Sequence, residues 1–150
     1  MVYLDNNATT PIDPRVAEKV GSFIRGNFGN PSSLYPLGRE VKSLITEARE
    51  EVAAALGARR QEIIFTSSGT EADNLAILGL IETQPEKREF ITSSIEHPAV
   101  QKTARYLEGH GYTVYYLPVD QDGIINLDFL KSVISSNTVL VSVMLANNEI

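Results

Sequence analysis

The fold is decided by residues 62–74, which read EIIFTSSGTEADN. The mostly apolar run at 62–65 predicts a strand, the small polar residues at 66–70 predict a tight turn, and the apolar spacing after them predicts a helix. Backbone N–H groups from Ser67 to Thr70 can close around an anion because these side chains are small, and the positive end of the helix adds to the attraction. The stretch therefore predicts an anion-binding cup in an α/β fold.

The same residues allow a second interpretation, in which no ligand binds. Ser68 and Glu71 match the capping-box pattern, in which a serine and a glutamate satisfy free N–H groups at the start of a helix. Short motifs of this kind have many chance matches. From this stretch alone, a phosphate cup and a simple helix start both remain open.

Outside this stretch, helix-like and strand-like segments alternate along the chain. Asp13 and Pro14 form a good N-cap and first helical position, and Gly57 suits the left-handed residue that ends a helix. The alternation predicts a three-layer α/β fold, in which a largely parallel sheet carries helices on both faces. Helices are predicted at 14–25, 37–57, 98–107 and 127–134, and strands at 90–92, 113–119 and 139–144.

Apolar periodicity also predicts which side chains are buried. The stripes on the first two helices consist of Val16, Val20, Phe23 and Ile24, and of Val41, Leu44, Ile45, Ala48, Val52 and Leu56. The strand at 139–144 is apolar apart from Ser142, as expected of a strand covered on both faces. No closing helix follows it, so we predict that the chain is the N-terminal part of a longer protein.

Charge and composition exclude several classes of function. Lysine and arginine total 13 against 19 for aspartate and glutamate, and the net charge of −6 argues against nucleic acid binding by a basic face. No apolar stretch approaches the roughly 20 residues that cross a bilayer, and the first residues do not resemble a signal peptide, which predicts a cytoplasmic protein without a membrane segment. Cysteine is absent and metal ligands do not cluster, so neither disulfides nor a metal site is predicted here.

His97 is the strongest candidate for a catalytic group. It follows a predicted strand, and Pro98 places it at the N-cap of the next helix, where the helix dipole is expected to keep the ring neutral near pH 7. A neutral ring can stack on another ring and accept a proton. The alternative is a capping histidine without a catalytic role. His110, between two glycines in a turn, is predicted to be a surface residue.

Asn147 and Asn148 follow the last strand, at the edge where an open α/β sheet presents ligand-binding groups. The amide of Asn148 can donate a hydrogen bond to an ionised hydroxyl of a ligand. Alternatively, both asparagines end the strand in a turn, since asparagine readily bonds to its own backbone.

Five separate motifs support a common interpretation of these features. They are YLDNNATTP at 3–11, FGNPSS at 28–33, TSSGTEADN at 66–74, EHPAV at 96–100 and ANNEI at 146–150. In this order and spacing, from residue 2 to residue 150, the chain resembles a cysteine desulfurase of the NifS and IscS type. These proteins belong to the pyridoxal-phosphate enzymes of fold type I.

The resemblance implies a role for each candidate residue. Gly69 and Thr70 match the family's phosphate-binding pair. His97 matches the histidine that stacks over the cofactor ring and transfers protons, and Asn148 matches the asparagine that holds the O3′ oxygen, with Asn147 left structural. The resemblance also implies that residues 1–13 form an arm beside the small domain and the active site, and that 14–150 begin the large cofactor-binding domain.

Two residues depart from the family pattern. Ser68 replaces a glycine, and if that position needs a left-handed backbone, serine would cost about 1 kcal/mol or more. Tyr35 stands where relatives commonly have a histidine, and we assign no role to it. Asn7 and Asn30 lie in loops that border the active site and subunit interface in the family, which suggests supporting roles.

The resemblance implies an enzyme that removes sulfur from L-cysteine, giving L-alanine and an enzyme persulfide for iron-sulfur cluster assembly and other thiolation. It further implies a homodimer and a scaffold protein as sulfur acceptor. The lysine that binds the cofactor, the aspartate at its pyridine nitrogen and the persulfide cysteine all lie after residue 150 in family members. We therefore predict that this chain is inactive without the missing C-terminal portion.

Two classes of function remain open. The first is an enzyme, of which the chain is the N-terminal part, and the second is a non-catalytic fragment or partner module. Within the enzyme class, a related pyridoxal-phosphate lyase or aminotransferase of the same fold is the alternative, because these motifs position the cofactor more than they select the substrate. A hydrolase triad is disfavoured because the nucleophile-elbow pattern is absent from the sequence.

Overall fold

The computed structural model describes residues 2–150, and the chain divides into two compact units, Met1–Phe65 and Thr66–Ile150. Met1, where the predicted N-terminal arm begins, lies outside the described residues. Within residues 2–150, no helix is long and apolar enough to cross a membrane, and no three histidine, cysteine, aspartate or glutamate side chains are grouped to hold a metal ion.

The first unit contains the helices α1 (Pro14–Gly26) and α2 (Pro36–Leu56), followed by a 3₁₀ turn at Arg60–Glu62. Asp13 is the N-cap of α1, and its carboxylate accepts a hydrogen bond from the N–H of Arg15 at 2.8 Å. α2 ends at Gly57, whose φ of 64° is the left-handed conformation that glycine adopts at low cost. Both helix boundaries confirm the sequence prediction.

The buried faces predicted for these two helices are largely wrong. Of the second stripe only Val41 is buried, while Ala48, Val52 and Leu56 are exposed and Ala53 is buried instead. Periodicity identifies an apolar face, but burial requires an element packed against it, and most of these side chains are left uncovered. On α1 the predicted stripe is between 38% and 71% exposed, at Val16, Val20, Phe23 and Ile24.

Residues 62–65 do not form the predicted strand. Arg60–Glu62 coils into the 3₁₀ turn, which is held by a hydrogen bond of 2.7 Å from the N–H of Arg59 to the Glu62 carboxylate. Ile63 after it is extended, and Ile64 is 69% exposed. A strand needs a neighbour for its backbone hydrogen bonds, and in the described part of the chain no strand pairs with residues 63–65.

The second unit alternates helices and strands, as predicted. Its sheet has the strand order β2-β1-β3 with both pairings parallel, which confirms the α/β class with a parallel sheet. The elements in chain order are α3 (Gly69–Glu82), β1 (Glu89–Ser93), α4 (Pro98–Gly109), β2 (Thr113–Leu117), α5 (Leu127–Val133) and β3 (Thr138–Ser142).

Two strands are shorter than the sequence predicts. β2 ends at Leu117 because Pro118 has no N–H with which to continue the ladder. β3 ends at Ser142, the last residue paired with β1. Beyond it, Val143 is 39% and Leu145 is 103% exposed, so the end of this apolar run is not covered on both faces.

The core of the second unit brings α3 and α4 onto the sheet. Phe90 of β1 and Ala104 of α4, both 0% exposed, lie at its centre. Because β1 and β3 are parallel neighbours, their carboxyl ends lie at one edge of the sheet, and the segments that follow them carry His97 and Asn148. The buried core cluster consists of Ile77, Ile81, Phe90, Val100, Ala104, Leu107 and Val139.

Candidate functional site

Ser68 starts α3 without backbone strain. It is the N-cap, with φ −165° and ψ 165°, and its hydroxyl accepts a hydrogen bond of 3.2 Å from the N–H of Glu71. These angles are ordinary extended backbone, and no residue other than glycine has a positive φ in residues 2–150. The strain anticipated from a serine at this position is therefore absent, and the helix gains a cap.

Glu71 forms only part of the predicted capping box. Its carboxylate accepts hydrogen bonds from the N–H of Ser67 at 2.6 Å and from the Ser67 hydroxyl at 2.5 Å, rather than from the N–H of Ser68. The Ser67 hydroxyl, followed by the Ser67 N–H, lowers the pKa of Glu71 below its usual value. The Glu71 carboxylate thus occupies the Ser67 end of the turn. Ser67 was predicted to help bind an anion, but its N–H and hydroxyl already bind Glu71.

Gly69 and Thr70 keep the donors that the predicted cup requires. In residues 2–150 the N–H groups of Ser68, Gly69 and Thr70 donate to no other protein group, as expected in the first turn of a helix. A Cβ built on Gly69 would meet nothing within 4 Å, so the surface over this turn is open. The turn can therefore accept an anion at its Gly69 and Thr70 end.

Asn74 connects this turn to α4, a role that the sequence did not reveal. Its amide nitrogen donates to the carbonyl of Thr70 at 2.8 Å, and its oxygen accepts from the hydroxyl of buried Thr103 at 2.7 Å. Thr70, Asn74 and Thr103 line a cleft of about 320 Å³ between α3 and α4, which also includes Ala99. Of the four predicted site residues, Thr70 alone lines this cleft.

His97 is the N-cap of α4, as predicted, and its side chain is exposed. Its Nδ1 accepts a hydrogen bond from the N–H of Ala99 at 3.1 Å. Because Nδ1 is the acceptor, the neutral ring carries its proton on Nε2. In this conformation the ring can donate a hydrogen bond from Nε2–H, but it can accept a proton only at Nδ1, by giving up the cap.

Asn147 binds one backbone group of the loop after β1 and one of its own segment, which agrees with the structural role predicted for it. Its amide nitrogen donates to the carbonyl of Ile95 at 2.8 Å, and its oxygen accepts from the N–H of Glu149 at 2.7 Å. The segment that carries exposed Asn148 is thereby joined to the loop that carries His97. The structure thus brings the His97 and Asn148 segments together.

Glu96 is a buried residue of this site that sequence analysis missed. It is 5% exposed, and its Oε1 accepts hydrogen bonds from the Ser93 hydroxyl at 2.7 Å and from the Met144 N–H at 2.8 Å. The sequence showed only an acidic residue between an apolar strand and the capping histidine. An acidic side chain is usually expected to be exposed to solvent, so this position did not indicate burial.

Two of the other candidates, His110 and Asn30, contact groups within their own segments. His110 ends α4 as its C-cap, stacks on Tyr106 with a ring separation of 3.9 Å, and contacts the Tyr106 carbonyl through Nδ1 at 2.7 Å. Asn30 accepts a hydrogen bond from the N–H of Ser32 at 2.9 Å, within its own turn. Asn7 lies in the turn near the start of the first unit.

Comparison with known proteins identifies the family. The family described as aminotransferase class-V matches residues 2–150. The cysteine desulfurase IscS of Methanosarcina thermophila is 50% identical over an alignment of 150 positions, which covers 99% of this chain and 37% of the relative.

Two solved structures have the same fold over 99% of this chain. A NifS-like protein superposes with a TM-score of 0.94 at 45% identity, and the match spans 41% of its chain. SspA in complex with cysteine superposes with a TM-score of 0.92 at 37% identity, and the match spans 43% of its chain. This chain therefore spans less than half the length of these relatives, and it belongs to the class-V aminotransferase family.

Proposed function

We propose that this chain is the N-terminal part of the cofactor-binding domain of a pyridoxal-phosphate-dependent cysteine desulfurase. The reaction removes sulfur from L-cysteine and gives L-alanine and an enzyme persulfide. One observation carries the proposal. At one edge of the sheet, the segment with His97 and the segment with Asn148 are joined by two hydrogen bonds, Met144 N–H to Glu96 and Asn147 to the Ile95 carbonyl. The similarity to a cysteine desulfurase and to a protein that holds cysteine supports the substrate.

The first turn of α3 fits the phosphate of the cofactor. The N–H groups of Gly69 and Thr70, together with the Thr70 hydroxyl, provide donors at the positive end of a helix of 14 residues. The space above Gly69 allows an anion to approach the backbone closely. We assign phosphate binding to these two residues, while Glu71 holds the turn from the Ser67 side.

His97 and Asn148 would contact the ring of the cofactor. Pyridoxal phosphate supplies an electron sink for the bonds of the amino acid substrate. The exposed imidazole of His97 can stack on the ring and can donate a hydrogen bond from Nε2–H while Nδ1 remains bonded to Ala99, and it can take up a proton when Nδ1 releases Ala99. The amide of Asn148 can donate to the O3′ oxygen and favour its ionised form.

The residues for covalent chemistry are not present in these 150 residues. The chain has no cysteine, so it cannot carry the persulfide. None of its lysines matches the lysine that binds the cofactor in the family. They lie on helices or in a loop, where a lysine usually only contacts solvent, and they are Lys19, Lys42, Lys87, Lys102 and Lys131. We therefore propose that the chain binds the cofactor without a covalent bond and turns over L-cysteine only with a C-terminal portion.

The remaining parts of the proposal concern organisation and partners. Residues 1–13 would form an arm beside the small domain and the active site, and residues 14–150 would begin the large domain. We propose that the complete enzyme is a homodimer and that it passes sulfur to a scaffold protein for iron-sulfur cluster assembly. Its cytoplasmic location stays a prediction. The alternative within the enzyme class is a related lyase or aminotransferase, because the family that matches residues 2–150 is broader than one activity.

The test is a chimaera that joins residues 1–150 to the remaining C-terminal part of the Methanosarcina thermophila relative, which this chain matches over 37% of its length. We call this protein the completed chimaera. With pyridoxal phosphate it should release alanine and sulfide from L-cysteine in the presence of a reductant. Activity on another amino acid with none on L-cysteine would favour the lyase or aminotransferase, and no activity with any would favour the non-catalytic alternative.

A further inference from the structure

The hydrogen-bond ladder between β1 and β3 ends before the candidate site begins. The last paired residues are Thr92 and Ser142. The site residues His97 and Asn148 lie five or six positions further on, in segments without regular structure. Backbone pairing therefore does not fix the separation of these two segments, and side chains must do so.

Two side chains join the segments in opposite directions. The carboxylate of Glu96 reaches from the β1 side and accepts from the N–H of Met144 at 2.8 Å. The amide of Asn147 reaches from the β3 side and donates to the carbonyl of Ile95 at 2.8 Å. Each tie pairs a side chain of one segment with the backbone of the other, so the two segments hold each other in a reciprocal arrangement.

Each tying residue directly precedes a candidate site residue. Glu96 comes before His97, and Asn147 comes before Asn148. The first member of each pair is partly or fully buried, while the second is exposed. In both pairs, therefore, the first residue binds the scaffold and the second presents its side chain at the surface.

We infer that Glu96 and Asn147 are positioning residues that set the separation of His97 and Asn148, an inference that rests on the cofactor site proposed above. Glu96 is 5% exposed, and its Oε1 is the acceptor of the Met144 N–H. Its removal leaves the Met144 N–H without an acceptor near the buried edge of the sheet. A misplacement of about 1 Å in a reacting group can lower a rate about 100-fold, so a small change in this separation matters.

The first measurement is amide hydrogen exchange of the 150-residue chain by NMR. The Met144 N–H should exchange slowly although it lies beyond the ladder, and the Leu145 N–H, whose residue is 103% exposed, should exchange fast. Equal exchange at the two positions in the parent chain would overturn the inference without any substitution.

Variants then separate the tie from general packing. Glu96→Ala should accelerate exchange of Met144 roughly tenfold or more, as expected when an N–H loses its acceptor. Glu96→Gln keeps an acceptor oxygen and should remain near the parent rate. Ser93→Ala is the matched control, because it removes the other donor to the same oxygen and leaves the Met144 tie in place. If Ser93→Ala accelerated exchange of the Met144 N–H as much as Glu96→Ala does, the assignment of Glu96 as the group that holds Met144 would be contradicted.

The second measurement uses the completed chimaera with pyridoxal phosphate. Glu96→Ala and Asn147→Ala should lower kcat for L-cysteine about tenfold or more with a smaller effect on cofactor affinity, and Glu96→Gln should restore most of the rate. A parental kcat in both alanine variants would overturn the positioning role. If the parent chimaera shows no activity, the proposed function fails, while the exchange measurement still decides whether Glu96 holds Met144.

Discussion

The Oδ1 of Asn74 accepts a hydrogen bond from the Oγ1 of Thr103 at 2.7 Å, and this bond joins α3 to α4 beside the candidate phosphate-binding turn. Thr103 is 3% exposed, so its hydroxyl has little access to water. The same hydroxyl lies 2.9 Å from the carbonyl of Ala99 within its own helix. Asn74 therefore couples the first turn of α3 to a buried position in α4.

Replacing Asn74 by alanine should destabilise the chain by about 1 kcal/mol, because the loss includes both the Thr103 bond and the bond to the Thr70 carbonyl. The value stays modest since Thr103 retains Ala99 as a partner. Urea unfolding of the 150-residue chain measures the change. The control is Asp73→Ala at the neighbouring position. An equal loss of unfolding free energy in both variants would show that the hydrogen bonds of Asn74 add no stability of their own.

Glu89 should make the stability of the chain depend on pH at the acidic end. The Ser135 hydroxyl, 2.7 Å away, holds the pKa of this carboxyl below its usual 4.5, with smaller help from Asn137 and Thr138 against the opposing effect of desolvation. A lowered folded-state pKa means that the contribution is present above the unfolded pKa and is lost as pH falls through the folded value.

Glu89→Gln should therefore reduce stability near neutral pH and have little effect in strong acid. Urea midpoints at about pH 7 and about pH 3 would show this convergence of variant and parent. Glu86→Gln, an exposed carboxylate in the preceding turn, is the control and should follow the parent at both values. A constant difference between Glu89→Gln and the parent across this range would contradict the linkage.

The sequence predicted those features that depend on local chemistry. Asp13 and His97 cap their helices, and Gly57 adopts the left-handed conformation. Each signal resides in one or two neighbouring residues, so no knowledge of distant contacts is needed. The parallel sheet was predictable for a related reason, since alternating strands and helices leave few other ways to connect.

Features that depend on a partner were not predictable. The run at 62–65 has a strand-like composition, but no strand within residues 2–150 pairs with it. The apolar stripe of α1 stays exposed because no element among the described residues covers it. Glu96 was missed because one of its donors, the Met144 N–H, comes within reach only when β1 and β3 pair, although the other donor, Ser93, is only three residues away. A carboxylate read from the sequence carries no sign that it is buried.

The 150-residue chain should not bind pyridoxal phosphate covalently. Four of the five lysines are exposed and Lys87 is half-buried, and none matches the residue that carries the cofactor in the family. Treatment with borohydride after addition of the cofactor should leave the mass of the chain unchanged. A trapped adduct that maps to a single lysine, such as Lys102 beside the cleft, would contradict this expectation.

Thr70→Val should weaken binding of pyridoxal phosphate roughly tenfold or more, because a hydrogen bond to a charged group is worth about 1.5 to 3 kcal/mol. Ser68→Gly should leave the affinity nearly unchanged. Serine is unstrained at φ −165°, so glycine relieves nothing and loses only the cap bond to Glu71. Titration of the 150-residue chain and both variants is the measurement, and unchanged affinity in Thr70→Val would favour the simple helix start.

His97→Ala in the completed chimaera should slow turnover of L-cysteine about 100- to 10,000-fold, the usual range for a positioned acid-base group. Alanine also removes the cap on α4, so the structure suggests a second variant. His97→Asn restores a good N-cap but has no imidazole. It should recover the thermal stability lost in the alanine variant while its rate stays low. Recovery of the rate together with the stability would show that His97 serves α4 as a cap and takes no part in the reaction.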